Sequence, residues 1–221
     1  MIYPYSLPIH PSFLIRSFPG KAARGVVVLA LFLLIQVGRP MTGAAGKNHY
    51  LTGQLLVATR DMGDPRFVHT VVYIIHHDNK GAMGFIINRP IAKGSISAFL
   101  TTVGVKIEDT GVQIVLHYGG PMEREKGFVL HTDDYHGNGT QVIGGGVAVT
   151  ADTKILRAMA REKGPRRSLV VMGYSGWAPG QLEGEIAAKA WFVIPEEEDL
   201  IFDEKAETKW ERAEAKRRIP L

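Results

Sequence analysis

The chain has 221 residues, with 45% hydrophobic and 22% charged side chains, 25 glycines and 12 prolines, proportions that exclude collagen-like, coiled-coil and wholly disordered chains. It contains no cysteine, which excludes a disulfide framework, a thiolate metal site and a cysteine nucleophile. The formal charge of +4 sits in residues 1–46, where Arg16, Lys21, Arg24 and Arg39 meet no Asp or Glu; without those four, 22 basic residues face 22 acidic ones, so general nucleic-acid binding loses its main electrostatic support.

Residues 1–46 read as a leader. Basic residues precede an apolar run from Val26 to Val37 and the small residues Gly43, Ala44 and Ala45, the order of a secretory signal peptide. Met41 offers a second reading, in which translation starts there. Twelve helical residues reach about 18 Å, short of the roughly 30 Å hydrocarbon core, so no stable membrane span is expected.

From Leu51 onward, short apolar runs bounded by turn residues predict strands. They cover Gln54–Thr59, Val68–His76, Ala82–Asn88, Val112–Tyr118, Gly127–His131, Gln141–Ile143, Ser168–Tyr174 and Trp191–Ile194. Asp78-Asn79-Lys80-Gly81 predicts a hairpin between the second and third, since Asp and Asn tolerate turn geometry and Gly supplies positive φ. Helices are predicted over Asp152–Lys163, stopped by Gly164-Pro165, over Pro179–Lys189 and over Glu204–Arg217, with Ala206, Trp210 and Ala213 facing inward. A further helix at Ser95–Val103 is weakened by Thr101 and Thr102. No linker or repeat appears after residue 50, so residues 47–221 read as a single α+β domain.

The chemistry-bearing segments each have a bland alternative. Gly173-Tyr174-Ser175-Gly176-Trp177 lacks the spacing of a hydrolase nucleophile elbow, because Gly follows Ser directly, and reads as structural, with the Ser175 hydroxyl bonded to nearby backbone. His131, Asp133, Asp134 and His136 are donors suited to zinc, giving a metal-assisted hydrolase as an alternative, but no metalloprotease or EF-hand spacing is present. His76-His77 reads as an exposed strand end. Gly119-Gly120-Pro121 and Gly144-Gly145-Gly146 match no nucleotide-binding fingerprint and read as turns or bulges. Lys154, Arg157, Arg161, Lys163, Arg166 and Arg167 form a basic cluster, the basis of a second alternative, direct nucleic-acid binding, although no aromatic residues interleave it.

Several strings then accumulate in one order: Leu51-Thr-Gly-Gln-Leu-Leu-Val-Ala-Thr, Asp64-Pro-Arg-Phe, Gly81-Ala-Met-Gly-Phe-Ile-Ile-Asn-Arg-Pro, Tyr118-Gly-Gly-Pro, Gly127-Phe-Val-Leu-His-Thr and Gly173-Tyr-Ser-Gly-Trp-Ala-Pro-Gly-Gln-Leu-Glu-Gly-Glu-Ile. From about Leu51 to Trp210 the chain resembles the bacterial AlgH/YqgE family, also called UPF0301 or DUF179. The resemblance implies a mixed, largely antiparallel sheet bent into a pseudo-barrel with flanking helices, and a usually cytosolic protein. It brings no established reaction and no cofactor. The family name carries a link to transcriptional regulation, and with no DNA-reading motif an indirect role fits better. Two departures stand out: the leader lies outside the pattern, and Glu214 with Lys216-Arg217-Arg218 stands where an apolar helix face is expected.

The resulting expectation is a non-catalytic accessory or regulatory protein that acts through an unidentified protein partner or small ligand. If it has a pocket, Asn88, Arg89, Gly119, Gly120, His131, Tyr174, Trp177 and Gln181 are its candidate lining, at strand ends on a rigid scaffold.

Overall fold

The computed structural model describes residues 50–217; the leader, with its apolar run and Met41, lies outside them, as does Arg218. β1 (Leu55–Ala58), β2 (Val71–Asp78) and β3 (Gly81–Ile86) form an antiparallel meander. The expected hairpin is present: Asp78 pairs with Gly81, and the Lys80 N–H donates to Asp78 Oδ1 at 2.7 Å. β2 starts later than the apolar run predicts, because Thr70 closes a turn onto the Phe67 carbonyl.

β4 (Pro90–Ser95) is a strand that the residue pattern does not predict. It is exposed along its length and so shows no apolar alternation, and its proline is tolerated because among the described residues only one edge is paired. α1 (Ile96–Thr102) forms despite its threonines: Ser95 Oγ accepts the Ser97 and Ala98 N–H groups, and the Thr101 and Thr102 hydroxyls donate to the Ser97 and Phe99 carbonyls. β5 (Gln113–Tyr118), β6 (Met122–Thr132), β7 (Thr140–Gly144) and β8 (Val147–Thr150) follow. β8 is four buried residues behind the glycine run, too short to show a period.

α2 (Lys154–Ala160), β9 (Ser168–Trp177), α3 (Gln181–Ala187), β10 (Trp191–Ile194), α4 (Glu198–Phe202) and α5 (Lys209–Glu214) complete the order. The predicted terminal helix is therefore two pieces, a 3-10 turn at Ala206–Thr208 and then α5. Its charged end docks through polar contacts. Arg60 pairs with Glu214 at 3.1 Å, Lys216 pairs with Glu197, and the Arg217 guanidinium lies 5.3 Å over the Phe192 ring.

The ten strands make one sheet that curls into a half-barrel, and β9 is its hub. One edge of β9 pairs with β6. Along its other edge, Val170–Met172 pair in parallel with β5, whereas Ser175–Trp177 pair antiparallel with β3. The switch falls at Gly173, with φ +72°, against Gly119 and Gly120. A Cβ on Gly120, whose φ is +152°, would lie 2.2 Å from the Tyr174 carbonyl carbon, so backbone contacts backbone with no room for a side chain. The glycine run thus shapes a corner, as expected from its lack of a phosphate-binding spacing.

Both faces of the sheet are covered. Along β2, Val71, Tyr73 and Ile75 enter the large core, closed by Leu200, Ile201, Phe202 and Trp210 of the C-terminal segment, while Val72 and Ile74 face a second core with Leu182 of α3. α1 and α2 close a third around Val129 and Val170. This two-sided burial explains why β1 and β8 read as unbroken apolar runs.

Candidate functional site

Beneath α3, one carboxylate organises an aromatic cluster. Glu185 Oε2 accepts the indole N–H of Trp177 at 2.9 Å and of Trp191 at 2.8 Å, and its Oε1 accepts from Gln181 Nε2 at 2.8 Å. The two indoles meet edge to face at 6.1 Å, and Phe67 lies stacked on Trp177 at 6.3 Å. Phe67 belongs to a turn after β1 that Arg89 fixes, donating to the Arg66 and Val68 carbonyls at 2.7 and 2.9 Å. Asn88 holds the same turn by donating to the His69 carbonyl and accepting the Val71 N–H.

On this framework lie two exposed guanidiniums. Arg66 sits 5.7 Å over the Phe67 ring, and Arg124 sits 5.5 Å over Tyr118. Arg66 bonds Asp64, which holds the guanidinium above its ordinary pKa through the hydrogen bond and then the charge; the carboxylate of Glu185 adds a smaller contribution of the same sign. Arg124 makes no hydrogen bond or ion pair among the described residues.

The eight predicted lining residues do not converge as one set. Asn88, Arg89, Trp177 and Gln181 border the Phe67 cluster, and Gly119 and Gly120 form the corner beside it. Tyr174 instead packs against the large core, on the other face of the sheet from Trp177. His131 is fully buried on β6. Its Nδ1–H donates to the Thr132 carbonyl at 2.7 Å and its Nε2 accepts from Thr150 Oγ1 at 2.9 Å. Burial lowers its pKa, keeping the ring neutral.

The other candidates are similarly engaged. Asp134 accepts from Thr132 Oγ1 and from the Arg166 N–H, and among the described residues no three His, Asp or Glu side chains gather as a metal group. Ser175 lies buried in β9 with its hydroxyl donating to the Gly119 carbonyl at 3.3 Å. His77, unlike exposed His76, is buried: its Nδ1 accepts the Leu51 N–H, and its Nε2–H donates to Glu183 at 2.9 Å. In the basic cluster, Arg166 and Arg167 pair with Glu198, and Arg167 also with Asp199.

The family model described as AlgH-like, DUF179, matches residues 55–221. The chain belongs to the AlgH-like UPF0301 family. A UPF0301 protein of Caulobacter vibrioides is 46% identical over 171 residues, covering 76% of this chain and 88% of that protein. One of Rhodospirillum rubrum is 40% identical over 164 residues, covering 74% and 85%. The solution structure of the AlgH protein from Pseudomonas aeruginosa superposes with a TM-score of 0.67 at 31% identity, covering 85% of this chain and 95% of that one. A crystal structure from Corynebacterium diphtheriae, at 19% identity and a TM-score of 0.60, shares the fold.

Two features of this AlgH-like chain escape the sequence reading. Arg66 and Phe67 stand in the Asp64-Pro-Arg-Phe string that carries part of the family resemblance, whereas Arg124 lies in no such string and looks like an ordinary solvent-facing charge. Lys209 carried a sharper signal: it stands on the inward stripe of Ala206, Trp210 and Ala213, where a charge is out of place. It is 0% exposed, its Nζ donates to the Ile201 and Ile87 carbonyls at 2.6 and 3.2 Å, and burial pushes its pKa down to about 7. Its neighbour His117 is pushed down to about 4, by burial and then by the charge of Lys209.

Proposed function

We propose that this AlgH-like protein is a non-catalytic accessory or regulatory protein that acts by binding a partner or small ligand on the arginine–aromatic face of Arg66, Phe67, Tyr118 and Arg124. The observation that carries this reading is the division of labour among its polar groups. Ser175, His131 and Glu185, the natural nucleophile, base and acid, are each bonded to fixed neighbours. The two stacked guanidiniums instead face solvent on a rigid support, the arrangement of a recognition surface.

The family resemblance favours the cytosol, with residues 1–46 as a segment outside the domain of residues 47–221. Among the described residues no helix is long and apolar enough to cross a membrane, which says nothing of strands. Quantitative affinity capture tests the proposal: a saturable ligand or partner should be retained by the wild-type protein and lost with Arg66→Ala plus Arg124→Ala at unchanged melting temperature. Retention by the double variant, or a specific turnover by purified protein that one substitution abolishes, would overturn it.

A further inference from the structure

A second cationic site lies under the C-terminal segment, away from that face. Arg212 stands three residues after Lys209, on the same side of α5. Its Nη1 donates to Asp203 Oδ2 at 2.7 Å, but its Nε and Nη2 are buried without a hydrogen-bond partner among the described residues. Nδ1 of His117, a residue only 5% exposed, is also buried without a well-formed hydrogen bond among the described residues, although the Val170 and Val115 backbones act on the ring. The charges of Asp203, Arg212 and Arg167 all act on Lys209, and that of Lys209 acts on His117, so these groups form one electrostatic cluster.

The cluster is unbalanced. Arg167 is already paired with Glu198 and Asp199. Among the described residues, Lys209 and Arg212, when charged, are then opposed by Asp203. An uncompensated buried cation is costly, and so is a buried donor with no acceptor. Both faults are removed by the same kind of group, one with negative charge and two or more acceptor oxygens.

We propose that Arg212 and Lys209 bind a small oxyanion, a phosphate or carboxylate group, beneath the α4–α5 segment. Nε–H and Nη2–H lie along one edge of the guanidinium, the pair of donors that meets two oxygens of such an anion in parallel. Lys209 has three N–H donors, two of them on carbonyls, which leaves the third for the ligand. The Arg212 side chain as a whole is 39% exposed, so this end of the cluster lies next to solvent even though Nε and Nη2 themselves are covered.

The test uses the full chain in chloride buffer at constant ionic strength, titrated with inorganic phosphate and separately with acetate, and read by calorimetry and thermal melting. Saturable one-to-one binding with a rising melting temperature is expected for at least one oxyanion and not for added chloride; which of the two binds distinguishes a phosphate from a carboxylate ligand. Arg212→Gln should weaken that binding at least tenfold. Arg124→Gln should leave it unchanged, so that this site and the proposed recognition face stand or fall separately. If Arg212→Gln does not fold, the Nε resonance of Arg212 in the labelled wild-type protein should shift as the anion is added. Absence of saturable binding by either oxyanion, which would mean that water satisfies these donors, overturns the proposal. Binding that survives Arg212→Gln or leaves the Arg212 resonance unmoved does so too.

Discussion

Replacing Lys209 by methionine should flatten the dependence of stability on pH above neutrality. Burial lowers the folded-state pKa of this amine from 10.5 to about 7. Between those values the unfolded chain holds the proton and the folded chain releases it, so stability rises with pH across the window and is lost as pH falls back through it. The whole window corresponds to on the order of 5 kcal/mol, and the part between pH 7 and 9 to about 2 kcal/mol. Methionine keeps the length of the side chain and removes the titration. It also strips a donor from the Ile87 and Ile201 carbonyls, at about 1–3 kcal/mol each, so the diagnostic is the slope with pH and not stability at any single pH. Urea unfolding followed by tryptophan fluorescence in chloride buffers at pH 7 and 9 measures it. An unchanged slope in Lys209→Met, or no slope in the wild type, would refute the assignment.

His117 governs the acid limb: with a folded pKa near 4 against 6.5 for the free side chain, it withdraws up to about 3 kcal/mol as pH falls from 6.5 to 4, and His117→Leu should remove that fall in a urea series. Gly120→Ala places a Cβ 2.2 Å from the Tyr174 backbone at a φ of +152°, so a loss of at least ~3 kcal/mol is expected in denaturant unfolding; a loss below ~1 kcal/mol would contradict the close-packed corner. Glu185→Ala leaves two indole N–H groups without their acceptor and should cost roughly 2–4 kcal/mol, with a shift in tryptophan emission as the second readout.

The hairpin between β2 and β3 is legible because its turn is local: four residues carry the whole instruction. β4 is not, since an exposed edge strand has no buried face to impose an alternation. The short strand β8 and helix α4 are hidden for a related reason, as segments buried on most sides show an apolar run without a period. Trp177 and Gln181 are readable as a strand-to-helix junction, yet their common partner Glu185 lies a full turn into α3 and looks like an ordinary helical acid. His131 illustrates the converse. Its loop neighbours Asp133 and Asp134 suggest a metal, whereas the strand period turns its ring into the interior, toward Thr150. Separations such as those from Lys209 to Ile87 and His117 are set by tertiary folding, and no local pattern reports them.

Because β9 lends one half of an edge to β3 and the other half to β5, neither wing of the half-barrel owns a complete set of neighbours without it. The two wings are therefore bound to open together. Amide protons along β9 should be among the last to exchange with solvent, released only in global unfolding, while β4 and β7, each paired along one side, exchange through local fraying. A chain cut or insertion tolerated at those borders would, inside β9, dissolve the whole architecture at once.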